Sequence, residues 1–201
     1  MAAAALKRLS VDDYLALEQS SDAKHEYFDG EIFDMAGGTA SHSLVAVNLS
    51  AELRNALKAR GCRVFSSDLM VWCPTGLRTY PDVSVTCESP RYEDDRELTL
   101  LNPLLIVEAL SDSTEAYDRG RKFNHYQSIP SLREYLLVST DRAHVDHFTR
   151  LDDGRWALTT YDGLETSVEL PTLGAKIAMS ETYTGVEFPP EPPLEPGPQS
   201  P

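Results

Sequence analysis

Three residues carry side chains of the types that together hydrolyse a phosphodiester: Asp82, Glu108 and Lys122. Two carboxylates can hold a divalent cation, and an ammonium group can polarise or deprotonate the attacking water. Their settings differ. Asp82 stands just ahead of Val83 and Val85, which alternate with small polar residues as in a strand with one buried face. Glu108 interrupts the apolar run from Pro103 to Leu110, the pattern of a strand buried on both faces. Taking an ionised carboxylate out of water is costly unless a cation or donors meet it, so Glu108 must face a metal, a base or the sheet end. Lys122 falls within a helical pattern in which Tyr117, Phe123 and Tyr126 recur as far as Ile129, with Asp112 and Glu115 as an N-cap and N3 pair.

Each residue also has a plainer explanation. Asp82 could cap a turn after Pro81, and Glu108 could sit in a structural ion pair with an arginine. Lys122 follows Asp118 by four residues, the spacing of a surface helix pair. Gly120 argues for function, because a helix-interior glycine costs roughly 1 kcal/mol relative to alanine and a close approach of backbone or ligand explains it.

Taken in order, Pro81-Asp82, Val107-Glu108, the segment Asp118-Arg119-Gly120-Arg121-Lys122-Phe123 with Tyr126, and Arg133-Glu134-Tyr135-Leu136-Leu137-Val138 resemble the Uma-two family, a restriction-endonuclease-like branch of the PD-(D/E)xK superfamily. The resemblance covers residues 10 to about 188. In the superfamily the lysine stands two residues after the second acid, a place held here by Leu110, so the resemblance implies a lysine moved to the next helix, at Lys122. It also implies an α/β fold whose mixed central β-sheet is flanked by helices and carries added β-hairpins. The implied activity is metal-dependent phosphodiester hydrolysis on nucleic acid, with Mg²⁺ or Mn²⁺ held by Asp82 and Glu108, in a homo-oligomer, by preference a dimer.

Further residues are candidates around that centre. His42 lies in the first turn of a helix, on its apolar stripe, where the helix dipole favours the neutral, metal-ligating imidazole; the alternative is a core histidine. The superfamily's first helix often brings a glutamate or histidine to the metal. Glu31 and Glu26 compete for that supporting role, against a plain hairpin surface charge. Tyr126 lies one turn past Lys122 and either hydrogen-bonds substrate or packs. Arg119 and Arg121 join Lys122 in the one dense basic cluster of the chain, suited to a substrate phosphate.

That cluster stands out against a net charge of −14. Between Asp12 and Asp34 eight acidic residues face Lys24 alone, which argues against strong unaided binding to duplex DNA, whose affinity comes from phosphate neutralisation. Two other classes therefore stay open. One is a catalytically weak or inactive nuclease-fold module acting through protein contacts, and the other an enzyme for a smaller phosphate ester.

At 201 residues, 41% hydrophobic and 25% charged, the chain suits one globular domain, expected over residues 1–188. No stretch has the roughly eighteen apolar residues that span a bilayer. Lys7 and Arg8 follow the apolar start instead of preceding it, unlike a signal peptide, so the expected location is cytoplasmic. Cys62, Cys73 and Cys87 are odd in number without C-x-x-C spacing, the usage expected of reduced thiols.

The elements that must position these residues follow from local patterns. Ser10 and Asp13 form a capping box for a short helix that packs Val11, Tyr14, Leu15 and Leu17. Asp29-Gly30 marks a hairpin, and from Ser41 a helix presents His42, Val45, Leu49, Leu53 and Leu57 on one stripe until Gly61. Strands are predicted over 62–66, 69–73, 83–86, 104–110, 135–138 and 145–148, with 156–161 pairing back through an Asp153-Gly154 turn. Residues 189–201 hold seven of the thirteen prolines and predict an extended, disordered tail.

Overall fold

The computed structural model of the chain describes residues 8–35, 37–111 and 113–190. The N-cap expected at Asp112 and nearly all of the Pro-rich tail lie outside the described residues. Ser10 caps α1 (Val11–Ser20), its hydroxyl accepting from the Asp13 amide at 3.1 Å, and the helix buries Tyr14 and Leu15. β1 (His25–Phe28) and β2 (Glu31–Asp34) form the predicted hairpin, with positive φ of 50° at Asp29 and 85° at Gly30, as a two-residue turn demands. Thr39 caps α2 (Ala40–Leu57), and a 3₁₀ turn over Lys58–Arg60 leads to Gly61 at φ 71°.

Six short strands come next: β3 (Arg63–Ser66), β4 (Met70–Trp72), β5 (Arg78–Thr79), β6 (Val83–Thr86), β7 (Thr99–Leu100) and β8 (Leu105–Ala109). A helical segment then runs through α3 (Glu115–Tyr117), a π-helical turn (Asp118–Lys122) and α4 (Phe123–Tyr126). β9 (Glu134–Val138), β10 (His144–Arg150), β11 (Trp156–Asp162), β12 (Ser167–Leu170), β13 (Ala175–Ala178) and α5 (Met179–Thr182) complete the order.

The central sheet has six strands in the order β11-β10-β9-β8-β6-β3, parallel only between β8 and β9. Because side chains alternate along β8, Leu105, Val107 and Ala109 face one way and Ile106 and Glu108 the other. The first face packs against Val45, Leu49, Leu53 and Leu57 of α2. Fully burying each such side chain contributes about 1.5–3 kcal/mol. On the second face Ile106, Tyr135 and Leu137 meet Phe123, Tyr126 and Ile129. A second sheet, β2-β1-β5-β4-β7, carries the hairpin, and β12 and β13 pair separately. This is the mixed α/β architecture with flanking helices and added hairpins that the resemblance implies.

Several local expectations are corrected. Cys62 and Cys87 are disulfide-bonded, and only Cys73 is free, and buried. Antiparallel pairing of β3 with β6 sets Arg63 opposite Thr86, which brings the flanking Cys62 and Cys87 together; a separation of 25 residues gives no local sign of it. The helix through Lys122 carries a π turn, a feature that the apolar spacing alone does not reveal. Gly120 lies in that turn, yet a Cβ there would meet nothing within 4 Å, so no close backbone approach explains it. The β10–β11 connection does turn at Asp153-Gly154, with Gly154 at φ 83° and its amide donating to Leu151 O at 2.9 Å. β5, β7, β12, β13 and α5 have no counterpart among the expected elements; β5 and β7, at two residues each, offer no alternation to detect.

Candidate active site

Val83 pairs with Val107 across the antiparallel β6–β8 ladder, so Asp82 stands opposite Glu108, on the face turned toward the helical segment. Directly opposed residues have Cβ atoms roughly 5 Å apart. The Asp82 carboxylate accepts from the Ala109 amide at 2.8 Å, which fixes it against the end of β8.

Lys122 is only 5% exposed. Its ammonium lies 3.0 Å from Glu108 Oε1, 3.4 Å from Glu26 Oε1 and 3.5 Å from Asp118 Oδ1. The surface pair with Asp118 is thereby excluded, since Asp118 is itself 3% exposed. The π turn sets both residues inward. Each carboxylate has further support. Tyr126 donates to Glu108 at 2.6 Å, Tyr117 donates to Glu26 at 2.9 Å, and Thr79 also donates to Glu26. Tyr126 is fully buried and touches Glu108 and the core, which removes it from direct substrate contact.

Burial pushes the Glu108 carboxyl up to about 8, with Asp118 and Asp82 adding to the rise and Lys122 opposing it. Burial works against the charge of Lys122 too, but Glu108, Glu26 and Asp118 outweigh it and hold the ammonium protonated. Burial likewise raises Asp118, against the pull of Lys122. Three carboxylates thus converge on one lysine.

His42 reaches this group from the start of α2, its Nε2 3.2 Å from Asp82 Oδ2. That hydrogen bond and the charge of Asp82 raise the His42 pKa, against the burial that lowers it. The ring needs Gly38, since a Cβ there would fall 2.5 Å from His42 Nδ1 and 3.2 Å from its Cβ.

These groups open into a cavity of about 1260 Å³. Its wall includes Asp82, Glu108, Lys122 and His42, with Glu31 and Arg121 among the other expected residues. Glu31 is exposed there, apart from the lysine, while Glu26 is buried beside it. Arg119 does not line the cavity. Its guanidinium is paired with Glu115 at 2.6 Å and with Asp146. Thr79, Tyr117 and Asp118 belong to the site's frame, although the sequence marks them only as strand-flanking or helical residues. Their signal lies in the hydrogen-bonding needs of Glu26 and Lys122.

Among the described residues no three His, Cys, Asp or Glu side chains are gathered into a ready metal shell. The donor set still suits a hard cation. Mg²⁺ commonly keeps several waters and takes one or two protein carboxylates, and here two stand on adjacent strands amid excess negative charge.

The same fold is found in the crystal structure of a "putative nuclease belonging to DUF820" from Anabaena variabilis ATCC 29413, which superposes with a TM-score of 0.71, at 17% identity, over 88% of this chain and 98% of that one. The family model Uma2, described as "Putative restriction endonuclease", matches residues 11–180. The chain belongs to the Uma2 family. Two relatives from Synechocystis sp. (strain ATCC 27184 / PCC 6803 / Kazusa), the uncharacterized proteins slr1290 and sll1609, are 42% and 35% identical. The matches cover 90% and 84% of this chain and 94% and 96% of theirs.

Proposed function

We propose that this chain is a metal-dependent phosphodiester hydrolase acting on nucleic acid. The observation that supports it most is the buried ammonium of Lys122, 3.0 Å from Glu108 at the wall of an open cavity, with Asp82 opposite Glu108 across the sheet. Asp82 and Glu108 would hold Mg²⁺ or Mn²⁺, which supplies Lewis-acid polarisation of the phosphate and an activated water. The side chains supply the rest. Lys122, kept charged by its carboxylates, orients the attacking water and donates to a phosphate oxygen. Tyr126 holds Glu108 in place, and His42 stands within hydrogen-bond reach of Asp82, positioned to orient it. Arg121, exposed on the cavity wall, is the remaining cation for a neighbouring phosphate.

Incubation of the full chain with short DNA and RNA substrates and Mn²⁺ tests the reading. Cleavage that needs the metal and disappears in Glu108→Ala is the expected result. Absence of cleavage on every substrate would favour the second reading, a nuclease-fold module acting through protein contacts, which the acidity of the chain supports.

A further inference from the structure

The β1–β2 hairpin forms the wall of the cavity facing the helical segment, and its register decides what that wall displays. Glu26 pairs with Phe33, and Phe28 with Glu31, so these four side chains share one face while Tyr27 and Ile32 turn to the opposite one. All four line the cavity. Phe33 is 47% exposed, although an aromatic ring of its size is ordinarily covered. Phe28 lies edge-on to His125, ring centroids 4.7 Å apart, and His125 follows Arg121 by one helical turn.

The charge on the wall narrows the ligand further. Among the described residues nine carboxylate side chains line the cavity, against Arg121 and Lys122 as its lysine and arginine residues. Duplex binding draws on many neutralised phosphates, which two cations cannot supply. Stacking of a base on an aromatic ring needs no charge and works in an acidic cavity. The two cations come from the helical segment and the two phenylalanines from the facing hairpin, so a strand between them has its phosphates on one side and its bases on the other.

Resting on the hydrolase reading above, we infer that this site takes single-stranded nucleic acid, with an unpaired base stacked on Phe33 and Phe28 while the adjoining phosphodiester lies at Lys122. DNA and RNA strands share this chemistry. The 2′-hydroxyl is what separates them.

Fluorescence anisotropy and initial cleavage rates, in Mn²⁺, on an end-labelled single-stranded DNA, the RNA of the same sequence and the blunt DNA duplex test the inference. The full chain should prefer at least one single strand to the duplex by about tenfold or more. Phe33→Ala should weaken single-strand binding roughly five- to a hundredfold, the range that loss of one stacked base gives, and Phe33→Trp should restore it. Phe33 is exposed, so neither change threatens the fold. Duplex bound as tightly as single strands, or Phe33→Ala indistinguishable from the parent, overturns the inference. Duplex cleavage that depends on Glu108 overturns it while leaving the hydrolase reading intact, and failure of all three probes to bind or be cut removes both.

Discussion

Two buried acid–base groups sit on the same sheet, and they are built differently. On β9 and β10, Glu134 and His147 are 0% and 1% exposed, with His147 Nε2 2.8 Å from Glu134 Oε2 and the Thr172 amide donating to Glu134 at 2.7 Å. One carboxylate meets one imidazole, and neither residue lines the cavity at Lys122. At Lys122 several carboxylates crowd one ammonium at the wall of a cavity, and Glu108 is held up to about 8 by burial. A matched pair sealed from solvent serves the fold. An unmatched cluster open to a cavity stores electrostatic tension that a ligand can relieve, which is how functional sites trade stability for chemistry.

The contrast is sharpest in thermal unfolding. Glu134→Ala leaves the Thr172 amide without its acceptor and takes from His147 the carboxylate 2.8 Å away, and should cost about 3–5 kcal/mol, lowering Tm by roughly 6–20 °C in a chain of this size. Glu108→Gln should do the opposite, raising stability by about 0.5–2 kcal/mol, because it removes one of the crowded carboxylates. A loss of stability there would make the Lys122 group a structural pair like the other. The gain should also depend on pH. Glu108 takes its proton near 4.5 when unfolded and near 8 when folded, so between these values the folded chain holds the extra proton and loses stability as pH rises. Differential scanning fluorimetry should therefore show the advantage of Glu108→Gln widening from about pH 5 to pH 8 and levelling above it.

Smaller effects test the frame. Gly38→Ala should displace the His42 ring from Asp82, and the His42 pKa followed by NMR should fall toward its ordinary value. An unchanged titration would mean that Asp82 is not what raises it. A chain ending at Phe188 should keep its melting temperature within about a degree, since residues 189–201 offer only Leu194 to bury. A larger drop would show that the tail docks.

How much of this was legible in the sequence varies by residue. Asp82 and Glu108 stand out because valine alternation and an apolar run each contain one acid out of place. Their opposition across the sheet depends on the pairing of β6 with β8, which no local pattern encodes. Lys122 is visible as a helical cation, but its burial arises from the π turn and from Glu26, 96 residues earlier in the chain. Glu26 itself resembles any hairpin charge until the register sets it opposite Phe33. Arg119 looks as available as Arg121, and only the approach of β10 brings Asp146 to claim it. The disulfide likewise depends on a strand register, with no spacing motif to announce it.

Lys122→Met tests the central claim most directly. On the substrate that the full chain cleaves, with Mn²⁺ affinity measured in parallel by titration calorimetry, turnover should fall by about a hundredfold to ten-thousandfold while the fold and metal binding at Asp82 and Glu108 persist. Turnover at the level of the parent chain would contradict it.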